Sequence, residues 1–165
     1  MEQKEKIIAV TALSADYCHT METCRDLEPE EFIDKMLNLL PRLYLAFTDV
    51  DADDLLEEEE YFESYVDEDF YDSVRRNVEL LLGPDDTFLE TFEENMKYSD
   101  TPIAASISEC LADIFQPLFN FISIVKDTEG EKMESAYRDC RENFQSYWAQ
   151  TLCNVLRALN SLKYK

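Results

Sequence analysis

Apolar residues recur along this chain at helical spacing. Ile7, Val10, Tyr17, Met21 and Cys24 fall near one face and predict a first helix over about residues 3–25. "LEPEEF" then restarts a helix, with Pro29 at its first position and acids at the positive end of the dipole. Phe32, Ile33, Met36, Leu40, Leu43, Tyr44 and Phe47 give this second helix a wide apolar face. Pro41 lies within it, lacks a backbone donor and predicts a kink or a break.

After a stretch that reads as a loop or a short irregular helix, Phe70, Val74, Val78 and Leu81 predict a third helix from about Glu68 to Leu82. "LLGPDD" ends it, because Gly83 accepts a positive φ and Pro84 cannot continue the helix. "TFLETFEENM" has the pattern of a short helical piece, and Thr101-Pro102 that of a cap and first residue. A fourth helix then carries Ile103, Ile107, Leu111, Ile114, Leu118, Ile122 and Val125, bent at Pro117. Beyond the turn at "KDTEGE" comes the longest stripe: Met133, Tyr137, Cys140, Phe144, Trp148, Leu152, Val155, Leu159 and Leu162. Its mean step is about 3.6 residues, and its helix would span about 45 Å, enough for a spine. The expectation is an all-α, single-domain helical bundle over residues 1–165, with about five principal helices and no sheet.

Charge changes the picture in one place. The net charge is −22, and 20 acids against Arg75, Arg76 and Lys97 lie between Asp49 and Asp100. Thr48 to Ser73 (residues 48–73) holds 13 carboxylates and neither Lys nor Arg. Such a field repels phosphate backbones and anionic lipid, so direct nucleic-acid or membrane binding is not expected; a basic partner or a cation is attracted. No run of 18 uncharged apolar residues exists, and "MEQKEKIIAV" lacks the pattern of a signal peptide. The five cysteines, Cys18, Cys24, Cys110, Cys140 and Cys153, form no C-x-x-C pair. They read as reduced, mostly buried thiols of a cytoplasmic protein.

Two metal patterns fall in the acidic stretch. Asp49, Asp51, Asp53 and Glu60 match positions 1, 3, 5 and 12 of a calcium loop, with Leu56 at position 8, but Asp54 stands where the sharp turn wants Gly. Glu59, Glu60 and Glu63 match the E-E-x-x-E of helical nucleotide pyrophosphatases that hold Mg²⁺, whereas Glu90 and Glu93 supply E-x-x-E where E-x-x-D is wanted. Other catalysts fail on inventory. Two glycines cannot build a phosphate-cradling loop, and one histidine excludes zincins and paired E-x-x-H sites. His19 beside Cys18 points about 100° away from it on a helix, too far for a ligand or nucleophile pair.

"LLPRLYLAF" (Leu39–Phe47), "SISECLADIFQPL" (Ser106–Leu118) and "FQSYWAQTLCNVLRALNSL" (Phe144–Leu162) resemble a bacterial family, domain of unknown function family 5063. The resemblance covers most of the chain and rests on Pro41, Arg42, Tyr44, Trp148 and Arg157. It implies an all-helical domain and brings no activity, cofactor or partner. The acidic stretch exceeds the family's shared pattern, so any role it has is expected to be particular to this branch.

Tyr61, Phe62, Tyr65, Phe70 and Tyr71 alternate with carboxylates, as in a surface where rings anchor and charge steers, or as rings that pin the segment to the bundle. The function expected is a non-enzymatic interaction module, without a cofactor, whose acidic face meets the basic surface of a protein not identified by the sequence. That face comprises Glu57, Glu58, Glu59, Glu60, Tyr61, Glu63, Tyr65, Asp67, Glu68 and Asp69. The alternative is a cation-binding module for calcium or magnesium, with or without pyrophosphatase-like chemistry.

Overall fold

The computed structural model describes residues 2–51, 60–90 and 103–165. Among them lie α1 (Glu2–Thr23), α2 (Pro29–Asp49), α3 (Glu68–Leu82) and α4 (Ile107–Asp127). A C-terminal helix of 31 residues follows: α5 (Met133–Asn143), one π-helical turn (Phe144–Trp148) and α6 (Ala149–Lys163). The all-α bundle of five principal helices, with a long C-terminal one, is what the periodicity predicts.

Local chemistry explains where the helices start. Glu28 and Glu31 cap α2 reciprocally, with Pro29 at its first position. Asp67 caps α3 by accepting from the Phe70 N–H at 2.8 Å. Pro41 and Pro117 both sit inside helices, and α2 and α4 continue through them. Pro41 therefore does not break α2. Tyr44, expected on the apolar face, is 38% exposed at its rim, with its ring edge against Phe144.

The expectation of no sheet fails at one point. β1 (Thr87–Leu89) pairs antiparallel with β2 (Ala104–Ser106), Thr87 opposite Ser106 and Leu89 opposite Ala104. Thr87–Leu89 is thus strand rather than the start of a short helical piece; residues 91–96 of "TFLETFEENM" lie outside the described ones. Pairing also delays the fourth helix, which starts at Ile107, while the Ile103 carbonyl accepts from the Glu90 N–H. Ser106 replaces Thr101 as the cap, its Oγ accepting from the Glu109 N–H at 3.1 Å. Arg157 on α6 holds the ladder, donating to the Leu89 carbonyl with its guanidinium over the Phe88 ring.

The core draws on every helix. Phe47, near the end of α2, is its hub: Tyr137 and Phe144 stack on it at 5.4 and 5.6 Å, and Trp148 meets it edge-on at 4.9 Å. α1 packs on α4 and α2, α3 on α4, and α2 on α6. Buried phenols find carbonyls: Tyr17 donates to Leu111 at 2.7 Å, and Tyr137 to Val50 at 2.6 Å. Each tie joins segments far apart in the chain.

The Met133–Leu162 stripe is buried up to Leu159, and Leu162 is partly buried. Its middle steps, Cys140 to Phe144 to Trp148 to Leu152, are all of four residues. Each overshoots a straight α-helix by about 40°, so three in a row would carry Leu152 about 120° off the face. The π turn at Phe144–Trp148 absorbs the drift with one extra residue.

Candidate functional site

The described half of the acidic segment is tied down by its apolar residues. Val66 is buried, and Phe62, Phe70 and Tyr71 pack against the core. The Tyr65 N–H donates to Asn120 Oδ1 at 2.7 Å, and Asp127 beside its phenol raises that group's pKa. Three carboxylates are committed: Glu60 to Lys132 Nζ at 2.7 Å, Asp67 to the α3 cap, and Asp72 to Arg75 and Arg76 at 3.0 and 3.4 Å. Glu63, Glu68 and Asp69 are exposed, and Tyr61 is 91% exposed among them. The rings therefore divide, with Phe62, Phe70 and Tyr71 as anchors and Tyr61 and Tyr65 as surface. Glu57, Glu58 and Glu59 lie outside the described residues, as does Asp53.

For the calcium pattern, Asp49 ends α2 and Asp51 follows it, with Gln3 Nε2 donating to the Asp51 carbonyl. Among the described residues no three His, Cys, Asp or Glu side chains converge as metal ligands. For the pyrophosphatase pattern, Glu60 sits at Lys132, before α5, while Glu90 lines a cleft at Ser146–Asn154. The helix rise puts those two points on the order of 20 Å apart. Glu59 and Glu93 lie outside the described residues. His19 is exposed and Cys18 buried, as expected for adjacent helical positions.

That cleft, of about 390 Å³, is the feature that sequence reasoning missed. It lies between the first turns of α4 and the π turn with the start of α6, beside the strand ladder. Asp113 is its hub. Tyr71 donates to Asp113 Oδ1 at 2.6 Å and Tyr147 to Oδ2 at 3.0 Å, joining α3, α4 and the π turn. Glu90, Glu109 and Asp113 bring three carboxylates to the cleft, and none of its lining residues is Lys or Arg. Burial and Asp113 push the Tyr147 phenol up to about 12; burial, followed by Glu90, Asp113 and Glu109, pushes the Cys110 thiol up to about 12. The sequence carried a signal: Ser106, Glu109 and Asp113, and Tyr147, Gln150 and Asn154, are polar stripes at helical spacing. Neither stripe says which helix it faces.

All five cysteines are free thiols, four buried and Cys153 exposed. No helix among the described residues is long and apolar enough to cross a membrane.

Among solved structures, the chain is similar to the crystal structure of protein BF1032 from Bacteroides fragilis, at 29% identity and a TM-score of 0.82. The match covers 97% of this chain and 93% of that one. No curated protein matches. The model of a family described as a domain of unknown function, DUF5063, matches residues 2–165. The chain, matched over essentially its whole length and folded as the helical bundle its apolar stripes require, belongs to the DUF5063 family.

Proposed function

We propose that this protein is a non-enzymatic helical interaction module whose acidic face docks a basic surface of another protein. The observation that carries the reading is the arrangement around Tyr61 and Tyr65. Both rings are exposed beside the exposed carboxylates of Glu63, Glu68 and Asp69, on a segment held by Val66. Exposed rings cost solvation and gain area when covered, while the surrounding charge speeds the encounter with a cationic surface. A partner rich in Lys and Arg would also relieve the self-repulsion of a chain at −22.

Affinity capture from the protein's own cells tests this, comparing the wild type with a variant carrying Tyr61→Ala, Glu63→Gln, Glu68→Gln and Asp69→Asn. A partner with an excess of Lys and Arg should be retained at low salt. It should be released at about 1 M salt, where the screening length falls to about 3 Å. Equal capture by the variant would overturn the reading.

A further inference from the structure

We propose that the groove between α2 and α6 is a binding site for a small molecule with an apolar body and one carboxylate, the class of a medium-chain fatty acid. The site does not rest on the docking reading. Lys132, which holds Glu60, precedes the C-terminal helix, whereas the groove runs along the far end of that helix, from Cys153 to Tyr164. The helix rise puts the two on the order of 40 Å apart.

The groove holds about 520 Å³, in the range of small-molecule sites, about 300–1,000 Å³. Its α2 wall is the single turn from Leu37 to Pro41, about 6 Å long, too short to seat a partner helix. Leu37, Pro41 and Leu156 line it and are only partly buried, so an apolar body would take further apolar surface out of water. Tyr164, 74% exposed, adds a ring to the lining.

Charge selects the head group. No Asp or Glu is among the described residues that line this groove, in a chain that carries 37 of them. Arg157 is the charged residue of the lining, and among the described residues it makes no ion pair. The Leu89 carbonyl takes one of its donors and leaves its charge standing, so the guanidinium keeps donors for a carboxylate. Lys163 and Lys165, by contrast, are paired with Asp34 and Asp85. Asn160, three residues after Arg157, shares its face of α6 and brings an amide to the same point. From Asn143 to Lys165 the chain has no Asp or Glu, so an anion is not repelled by neighbours along this helix.

Cys153 lines the groove and is exposed, so its reactivity reports occupancy. The test is the rate at which a maleimide labels Cys153, read as the ratio without and with each of three probes: octanoate, 1-octanol and octylammonium. Octanoate should slow labelling saturably, 1-octanol should need about tenfold more, and octylammonium should not protect. Asn160→Asp should weaken octanoate about tenfold and Asn160→Lys should strengthen it, both leaving 1-octanol unchanged. Arg157→Gln should erase the preference for octanoate over 1-octanol. Circular dichroism checks each fold; because Arg157 also holds the strand ladder, the exposed Asn160 carries the test if Arg157→Gln unfolds. Equal protection by octanoate and octylammonium would overturn the proposal, as would no protection by octanoate or no change with Asn160→Asp. Protection that rises with protein concentration alone would assign the groove to a second copy of the chain and overturn it too.

Discussion

Asp86 takes both donors of Ser108, the backbone N–H on Oδ1 and the hydroxyl on Oδ2, each at 2.7 Å. Both residues are buried. The pair clamps the turn after α3 to the first turn of α4, where a carboxylate also meets the positive end of the helix dipole. Asp86→Ala should cost about 3 kcal/mol, because it strands a buried N–H and a buried hydroxyl together. Ser108→Ala keeps the N–H contact but strands one Asp86 oxygen, and should cost about 1–2 kcal/mol. Urea unfolding of the two variants measures both, and equal losses would refute the two-donor account.

Trp148 is fully buried between Phe47 and Phe144. Trp148→Ala should cost about 3–5 kcal/mol, since the cavity opens at the hub of the aromatic cluster. Trp148→Phe should cost less, and thermal unfolding should rank the variants in that order.

A thiol reagent should label the native protein in two classes. Cys153 is exposed and reacts first; Cys18, Cys24, Cys110 and Cys140 are buried. Burial raises the pKa of all four, Cys24 to about 11 and Cys110 to about 12, so little thiolate forms at neutral pH. Five thiols should appear after denaturation without reductant. Fewer would mean a disulfide.

The same four thiols set an alkaline limit. Their pKa values are higher in the fold than in the unfolded chain, so above about pH 8.5 the unfolded chain releases protons that the fold retains. Stability should be full below that pH and then fall, by up to about 1.4 kcal/mol per thiol for each pH unit. The loss continues until pH passes the folded values, about 11 for Cys24 and about 12 for Cys110. Urea midpoints at pH 7.5 and 10 test it, and equal midpoints would contradict the burial of the thiols.

Charge on the acidic stretch should behave unevenly. Glu57→Gln, Glu58→Gln and Glu59→Gln together should hold or raise the melting temperature, because they reduce a net charge of −22. Glu60→Gln removes the ion pair to Lys132, a partly exposed one, and should cost at most about 1 kcal/mol. Added salt should shrink the first effect.

How far the sequence was legible follows from what each signal depends on. The five helices came from local periodicity, and the start of α2 at Pro29 from local chemistry; the Asp67 cap of α3 emerges only in the fold. The Thr87–Leu89 strand does too, because its partner is Ala104–Ser106, and pairing across that distance leaves no local pattern. "TFLETFEENM" even alternates in a helical way. The cleft was half legible: Asp113 and Tyr147 sat in visible polar stripes, but their meeting depends on α4 crossing the C-terminal helix. The acidic face was legible as charge. Its division into committed carboxylates, such as Glu60 and Asp67, and exposed ones, such as Glu63, needed the neighbours supplied by folding.

The π turn has a consequence for how this chain can change over time. The C-terminal helix is written in two phases, one ending near Phe144 and the other beginning near Leu152, with one surplus residue between them. Deleting Gln145 or Ser146 would remove that surplus, restore a plain α-helix and leave the residues beyond it within about 20° of their present face. Leu152, Val155 and Leu159 would then stay in the core, and Arg157 would keep its grip on the strand ladder. An insertion in the turn, with nothing to absorb it, would instead rotate the distal half by about 100°. Descendants of this chain should therefore tolerate the loss of one residue at Gln145 or Ser146 and not the gain of one.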